Sequence, residues 1–499
     1  AMRGSQWDEF TDWLVIPRYL LETDAFPSHD NPYANANLLA YPYSWHFITY
    51  MVSRLSGRFL ENAGAISNVL LLFGFGLLTL RLIGRGLGRE NLAHAPTWGL
   101  AALAGLSTTL FNPTFAQKVA LTTYADTSSA VVTGTAVILG WLMVEALADG
   151  DPRLARRYAW QTGAVLLVLI NLKQATLVLT VLVIGGIIIT ALREPRIKGL
   201  ALAKTLPIVI VPPLLIALMW RYHVATEIGG GELQIKPFAD WHVALIPDIV
   251  GRMLLVLSKK GLYLAVITLV AILGLRGLVR SRSSFDRFAL IAAAVVFGYN
   301  AFLLFAYVTT FGEFDALRAA SYWRYNMHLG LVCVAFAAVG LTEVWRERLA
   351  GRSMPRWLAW TPVIISVAAP LVFADKIRFD RVPSIVYFRD VGSEVARIAG
   401  LHDRIYIADP KGSGESAAIM RYELGAGTAY GGHLSAYFPD KPTAFQSHAA
   451  DPSITMILVH SMIPEIQSIL DLNLADGRSY LLRRQPGGEW EIVGSWPHP

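Results

Sequence analysis

Two adjacent carboxylates stand near the start of the chain in Trp7-Asp8-Glu9-Phe10-Thr11-Asp12-Trp13, with a third carboxylate one helical turn later and a tryptophan at each end. Such a group can do one of two things. As a helix cap, Asp8 or Asp12 satisfies open backbone N–H groups and the helix dipole, worth on the order of 1 kcal/mol. As a general base, Asp8 takes a proton from an acceptor at a membrane surface. Spacing alone leaves both readings open, with Glu9 as a supporting acid.

Further chemistry-bearing residues recur at the edges of apolar segments. Asp126, in Thr122-Thr123-Tyr124-Ala125-Asp126-Thr127, opens one such segment and reads either as its cap or as a second functional acid. Arg324-Tyr325 stands among aromatics at the mouth of another, six residues after Arg318. An arginine there snorkels to lipid headgroups or grips a phosphate through its planar fork, with the Tyr325 hydroxyl as a second donor. Lys173, in the polar knot Asn171-Leu172-Lys173-Gln174, is a second cation open to the same two readings. His29, His46, His223, His242 and His328 show no metal-ligand spacing, so no metal is assigned; a divalent ion is possible but not indicated. Gly412-Ser413-Gly414-Glu415-Ser416 lacks the full Gly-x4-Gly-Lys pattern and reads as a plain helix-start turn.

These residues need elements to hold them. Over 499 residues the chain is 54% hydrophobic and 16% charged, with a mean hydropathy of +0.44, which fits a membrane region joined to an aqueous domain. Segments able to cross roughly 30 Å of hydrocarbon need about 20 residues. They fall near 62-83, 96-111, 127-148, 204-221, 261-278, 288-307, 326-344 and 357-373, with a shorter pair, 160-172 and 175-192, flanking the polar knot. The fold expected is mainly α: a polytopic bundle of about 10 membrane segments (11 if, as the topology predicts, one more helix precedes Ala1). A C-terminal α/β domain follows it.

The net charge of +6 is concentrated in alternate short connections, so it marks topology and not nucleic-acid binding. One set holds Arg81, Arg85 and Arg89; Arg153, Arg156 and Arg157; Arg193, Arg196, Lys198 and Lys204; Arg276, Arg280, Arg282 and Arg287; and Arg346, Arg348, Arg352 and Arg356. That set is expected in the cytoplasm. Asp8, Asp126, Lys173, Arg318 and Arg324 then face outward, together with residues 374-499. The lone Cys333, inside an apolar run, rules out a disulfide framework.

The organisation expected is an outer loop with interfacial amphipathic helices over 1-61, the membrane region over 62-373 and the α/β domain over 374-499. In the last, strands are expected at Ser384 to Phe388, Arg404 to Ala408, Thr455 to His460, Tyr480 to Arg484 and Glu491 to Val493, and helices at Val391 to Ala399, Glu415 to Leu424 and Pro464 to Leu474.

Taken in order, the motifs resemble the GT-C superfamily of integral-membrane glycosyltransferases, in the branch of the protein O-mannosyltransferases and lipid A aminoarabinose transferase. The matching residues are the early Asp8-Glu9 pair, Tyr41-Pro42-Tyr43-Ser44-Trp45 leading into the next helix, Asp126 at the outer end of a span and Arg324-Tyr325 before one of the last helices. Relatives often carry a lysine before this proline and a second proline after it; this chain has Ala40-Tyr41 and Tyr43.

The resemblance implies an inverting transferase moving a sugar from a polyprenyl-phosphate donor to a glycan, lipid or protein acceptor on the outer face of a bacterial inner membrane. It implies Asp8 as base, with Arg324, Tyr325, Arg318 and Lys173 on the donor phosphate. The competing classes are a transporter or flippase, and a lipid-linked glycan polymerase or ligase.

Overall fold

The computed structural model describes residues 2–28, 36–88, 97–229, 234–349, 356–400, 402–425 and 429–499. His29, the Asp30-Asn31-Pro32-Tyr33 stretch, Arg89 and Arg352 lie outside them. In chain order the helices are α1 (Val15–Thr23), α2 (Ser44–Ser56), α3 (Ala63–Gly86), α4 (Trp98–Thr108), α5 (Gln117–Ala120), α6 (Ala125–Ala148), α7 (Pro152–Ile170), α8 (Thr176–Arg193), α9 (Gly199–His223) and α10 (Ile246–Ser258). They continue as α11 (Gly261–Val279), α12 (Ser284–Thr309), α13 (Glu313–Leu317), α14 (Tyr322–Val344), α15 (Arg356–Val372), α16 (Ala374–Ile377), α17 (Pro383–Ile398), α18 (Glu415–Leu424), α19 (Lys441–Ala450) and α20 (Pro464–Leu470). The strands are β1 (Arg404–Ala408), β2 (Ala429–Leu434), β3 (Met456–Val459), β4 (Arg478–Arg484) and β5 (Trp490–Pro497).

The chain forms two compact units. The membrane unit comprises Ala40–Trp45 and Gly64–Ala374. Among the described residues, 8 helical stretches are long and apolar enough to cross a membrane, and α4 and α15 are apolar but shorter. All the segments expected from hydropathy are helical. One further stretch, Phe238–Ser258, falls where a polar connection was expected between 204-221 and 261-278. Asp240, Asp248 and Arg252 lower its hydropathy, but Ile249, Met253 and Leu257 at i, i+4, i+8 form one buried face of α10.

The helix α6 lies at the centre of this unit, buried along almost its whole length. Its small residues permit that: a Cβ at Gly134 would stand 2.8 Å from the Phe75 ring and 3.3 Å from the Leu331 carbonyl carbon, so α3 and α14 press directly on its backbone. The shorter pair expected at 160-192 is α7 and α8. Asp151 starts α7 by accepting from the backbone N–H of Arg153 and Leu154, with Pro152 in the first turn, so the helix begins earlier than its apolar run.

A buried ion-pair group ties the C-terminal ends of α6 and α8 to the start of α12. Arg287 donates to Glu145 at 2.5 and 2.7 Å and to Glu194 at 2.7 Å. Arg287, expected as one more loop cation, is in fact interior, because two carboxylates neutralise it there.

The second unit joins Ala1–Leu39 and His46–Ala63 to Asp375–Pro499. Its five-stranded sheet has the order β2-β1-β3-β4-β5, parallel from β2 to β3 and antiparallel from β3 to β5. Four of the five expected strands are present. Ser384 to Phe388, expected as the fifth, instead opens α17: despite its β-branched composition, Ile385, Arg389, Gly392 and Val395 are buried at helical spacing behind Pro383 at the first turn. The strand β2 and the helix α19 carried no clear sequence pattern.

The amphipathic start of the chain, expected at a membrane surface, buries its apolar face in protein. Phe10 and Leu14 pack with Ile385, Ile419 and Tyr422 of α17 and α18. Arg389 pins this arrangement, donating to Glu61 at 2.6 and 2.9 Å, to Glu423 at 2.7 Å and to the Gly4 carbonyl at 3.0 Å. Burial works against the charge on Glu61, but the Arg389 pair outweighs it and holds the carboxyl below its usual range.

Candidate functional site

In the membrane unit the sequence-expected residues converge on Asp126, in the first turn of α6. Its carboxylate is fully buried and accepts from three side chains. Lys173 Nζ, from the connection between α7 and α8, lies 3.0 Å from Oδ1. Arg324, in the first turn of α14, places Nη2 3.1 Å from Oδ2. His328, one turn further along α14, brings Nε2 to 3.0 Å from Oδ1, and its Nδ1 is 2.8 Å from the Tyr299 hydroxyl of α12.

Asp126 spends its carboxylate on side chains from two other places, the α7–α8 connection and α14, and makes no cap bond at the start of α6. Lys173 is not a headgroup anchor, being only 4% exposed and locked on a buried acid. Arg324 retains 25% side-chain exposure and stacks on Tyr124, 4.4 Å from the ring centre.

The surrounding loop is tightly fixed. Asn68 of α3 donates to the carbonyls of Thr122 and Tyr124, both at 2.9 Å. The Trp45 indole donates to the Thr123 carbonyl at 2.7 Å, and the Ser44 hydroxyl to the Asn171 carbonyl. The Tyr41-Pro42-Tyr43-Ser44-Trp45 motif therefore braces the two connections that supply Tyr124 and Lys173.

With the His328 imidazole neutral, Nε2–H donates to Asp126 and Nδ1 accepts from Tyr299. A buried carboxylate that holds a lysine and a partly exposed guanidinium close together places two cations where an oxyanion can meet them.

Tyr325 is half-buried beside this group, its ring 6.5 Å from that of His328. Arg318 is not part of the cluster: it is exposed, pairs with Asp315 at 2.8 Å and lies over the Phe314 ring. His328 and Tyr299 were missed as site residues because neither has a sequence neighbour of matching chemistry; only the buried Asp126 gives them a role. Among the described residues no group of three or more His, Cys, Asp or Glu could hold a metal ion.

Asp8 and Glu9 belong to the other unit. Glu9 is buried and accepts from the backbone N–H of Ser5 and Gln6 at 2.8 and 3.0 Å, a local structural task. Asp8 precedes the π-helical turn Glu9–Trp13 without making a side-chain cap bond. Asp12 is buried, accepts from the Leu38 N–H at 2.8 Å and from the Thr11 hydroxyl, and burial with the nearby charge of Asp8 pushes it up to about 6.

No protein-family model matches the chain, and no curated protein matches it in sequence. Among solved structures it is similar to ArnT from Cupriavidus metallidurans in the apo state, at 14% identity and a TM-score of 0.52 over 95% of this chain and 91% of that one. It is more distantly similar to the oligosaccharyltransferase AglB of Archaeoglobus fulgidus solved with an inhibitory peptide and a dolichol-phosphate, at 8% identity and a TM-score of 0.44 over 99% of this chain and 70% of that one. The likeness to ArnT shows a shared fold: a multi-pass helical membrane bundle with a C-terminal α/β domain.

Proposed function

We propose that this GT-C-fold chain is an inverting glycosyltransferase that takes its sugar from a polyprenyl-phosphate donor on the outer face of a bacterial inner membrane. The observation that carries the reading is the Asp126 cluster, which clamps Lys173 of the α7–α8 connection and Arg324 of α14 at one end of the bundle. A polyprenyl-phosphate sugar is a phosphodiester with one negative charge, the kind of group that a lysine and an arginine held side by side can bind.

As the bond from the anomeric carbon to the phosphate oxygen breaks, the electron pair leaves with the lipid phosphate. Lys173 and Arg324, held in place beforehand, stabilise that growing charge without reorganising. The acceptor oxygen attacks the anomeric carbon from the opposite side and loses its proton to Asp8, the base that the family resemblance indicates. Support for the outward face comes from charge: the Asp126 end of α6 is opposite the end where Arg153, Arg156, Arg157 and Arg196 gather.

The test is transfer by purified protein from a polyprenyl-phosphate sugar. Asp8→Asn is expected to lower turnover by about 100-fold or more while polyprenyl phosphate still binds. Lys173→Met and Arg324→Met should each weaken binding of polyprenyl phosphate by about tenfold or more. Transfer by Asp8→Asn at the wild-type rate would remove the base assignment. Unchanged lipid binding in both cation variants would remove the donor site, and a flippase would then have to be considered.

A further inference from the structure

In the soluble unit, the turn that Asp8 opens runs alongside α18. The π-helical turn Glu9–Trp13 packs on that helix through Phe10, which meets Ala418, Ile419 and Tyr422. Gly414, just before α18, stands at φ 95, and a Cβ there would be 3.2 Å from Cη2 of Trp7 and 3.7 Å from Nε2 of His433 in β2. The glycine-rich stretch, read from sequence as a plain helix-start turn, is one; its glycine also lets Trp7 and β2 close on the start of the helix.

Arg421, in the last turn of α18, is held by both of these neighbours. Its Nη1 donates to Asn37 Oδ1 at 2.9 Å, and its guanidinium lies over the Tyr430 ring of β2, 5.1 Å from the centre. Asn37 is in turn tied to the acidic turn: its N–H donates to the Thr11 carbonyl at 3.0 Å, and the Leu38 N–H beside it donates to Asp12 at 2.8 Å. The Tyr430 hydroxyl is 2.7 Å from Nδ1 of His433. One edge and one face of the guanidinium are therefore fixed before any ligand arrives.

What Arg421 lacks is an anion. Arg389 and Arg287, both buried, each pair with two carboxylates. Arg421 is half-buried, and among the described residues its one hydrogen bond goes to a neutral amide. Burial holds it below its usual range, with Tyr430 and Asp12 opposing. Its Nε is sealed from solvent without a partner, whereas Nη2 also has no partner among the described residues but keeps contact with solvent. A cation kept partly dry and unpaired is costly, and an incoming oxyanion removes that cost.

We infer that Arg421 binds a carboxylate or phosphate carried by the acceptor, so that the transferase selects an anionic acceptor. The inference rests on the reading of Asp8 as the base. Asp8 opens the turn whose far end, through Thr11, Asp12 and Asn37, holds Arg421, so an acceptor hydroxyl at Asp8 and an anionic group at Arg421 belong to one molecule. In the same reading the donor phosphate has its own cations, Lys173 and Arg324, in the membrane unit.

The test uses the full chain in detergent micelles with its donor site saturated by polyprenyl phosphate, so that a second anion site is read alone. Calorimetric titration with glucuronate or inorganic phosphate is expected to show binding, and neutral glucose is expected to show none. In Arg421→Met the dissociation constant for glucuronate should rise about tenfold or more. With a polyprenyl-phosphate sugar as donor, glucuronate should also change the rate of donor consumption, with the same midpoint as its binding. No binding of either anion, equal binding of glucose, an unchanged constant in Arg421→Met, or glucuronate binding that leaves donor consumption untouched would each overturn the inference. Should Arg421→Met fold poorly, the wild-type chain decides it: labelling of Arg421 by phenylglyoxal, read by peptide mass spectrometry, is expected to slow with glucuronate and not with glucose, and labelling indifferent to glucuronate would overturn it. Binding needs no turnover, so Asp8→Asn is expected to bind glucuronate still, and failure of the base assignment shows separately, as transfer by Asp8→Asn at the wild-type rate.

Discussion

Asp126 derives its importance from what surrounds it. A lone carboxylate with no exposed surface would be too costly to keep ionised; two cations and an imidazole make it affordable, and in return it fixes both cations before any ligand arrives. Replacing it by alanine removes the carboxylate that Lys173 and Arg324 share, so Asp126→Ala is expected to lose about 3 kcal/mol or more of stability, the range seen when one partner of a buried pair is removed. Adding Lys173→Met should recover part of that loss, which thermal unfolding of the single and double variants would measure; a double variant less stable than the sum of the singles would deny the coupling. Asp12 presents the opposite case. Its folded value, about 6, lies above its ordinary 3.8, so the folded chain holds the proton more tightly than the unfolded one. Its contribution to stability is present at low pH and is lost as pH rises from about 4 to about 6. Asp12→Asn should therefore flatten the stability profile over that window and be more stable than wild type at pH 7, by up to about 3 kcal/mol. A variant whose unfolding midpoint tracks wild type from pH 4 to 8 would contradict it.

At the scale of elements, the bundle is organised by polar groups at both ends of α6, the Asp126 cluster at its start and the Glu145–Arg287–Glu194 group near its finish. Arg287→Leu strands the buried Glu145 and leaves Glu194 only its pair with Arg196, and is expected to lower the unfolding temperature in detergent markedly, with Glu145→Gln in the same chain restoring part of it; no recovery would mean that the arginine acts through packing alone. The helices themselves were largely visible in the sequence, because a long apolar run in a chain of this hydropathy has few alternatives. Asp126, Lys173 and Arg324 were visible too, as charges at the edges of such runs. What could not be read was their mutual distance: Lys173 and Arg324 are far apart in sequence, and only packing of α6, α8 and α14 brings them onto one acid. The same holds for His328, which looks like any histidine of an apolar helix. Ser384 to Phe388 failed for a related reason, since burial of one helical face overrode a strand-like composition.

For the whole molecule, the two units present a topological claim that chemistry can check directly. Basic residues collect at the ends of the bundle opposite Asp126, and positively charged connections stay in the cytoplasm. The Asp126 end and the α/β domain should then both lie outside. The chain is well suited to a labelling test because its one cysteine, Cys333, is buried and will not compete for reagent. A cysteine at Tyr437, 76% exposed on the α/β domain, is expected to react with a membrane-impermeant maleimide in intact spheroplasts. A cysteine at Arg282, in the basic connection before α12, should react only after the membrane is opened. The reverse pattern would place the Asp126 cluster in the cytoplasm, where nucleotide sugars are available and a lipid carrier would have no advantage, so the proposed donor would fall with the orientation. Labelling of both sites in intact spheroplasts would instead mean that the basic connection does not mark the inner side, and the charge argument would lose its force even if the Asp126 cluster still bound phosphate.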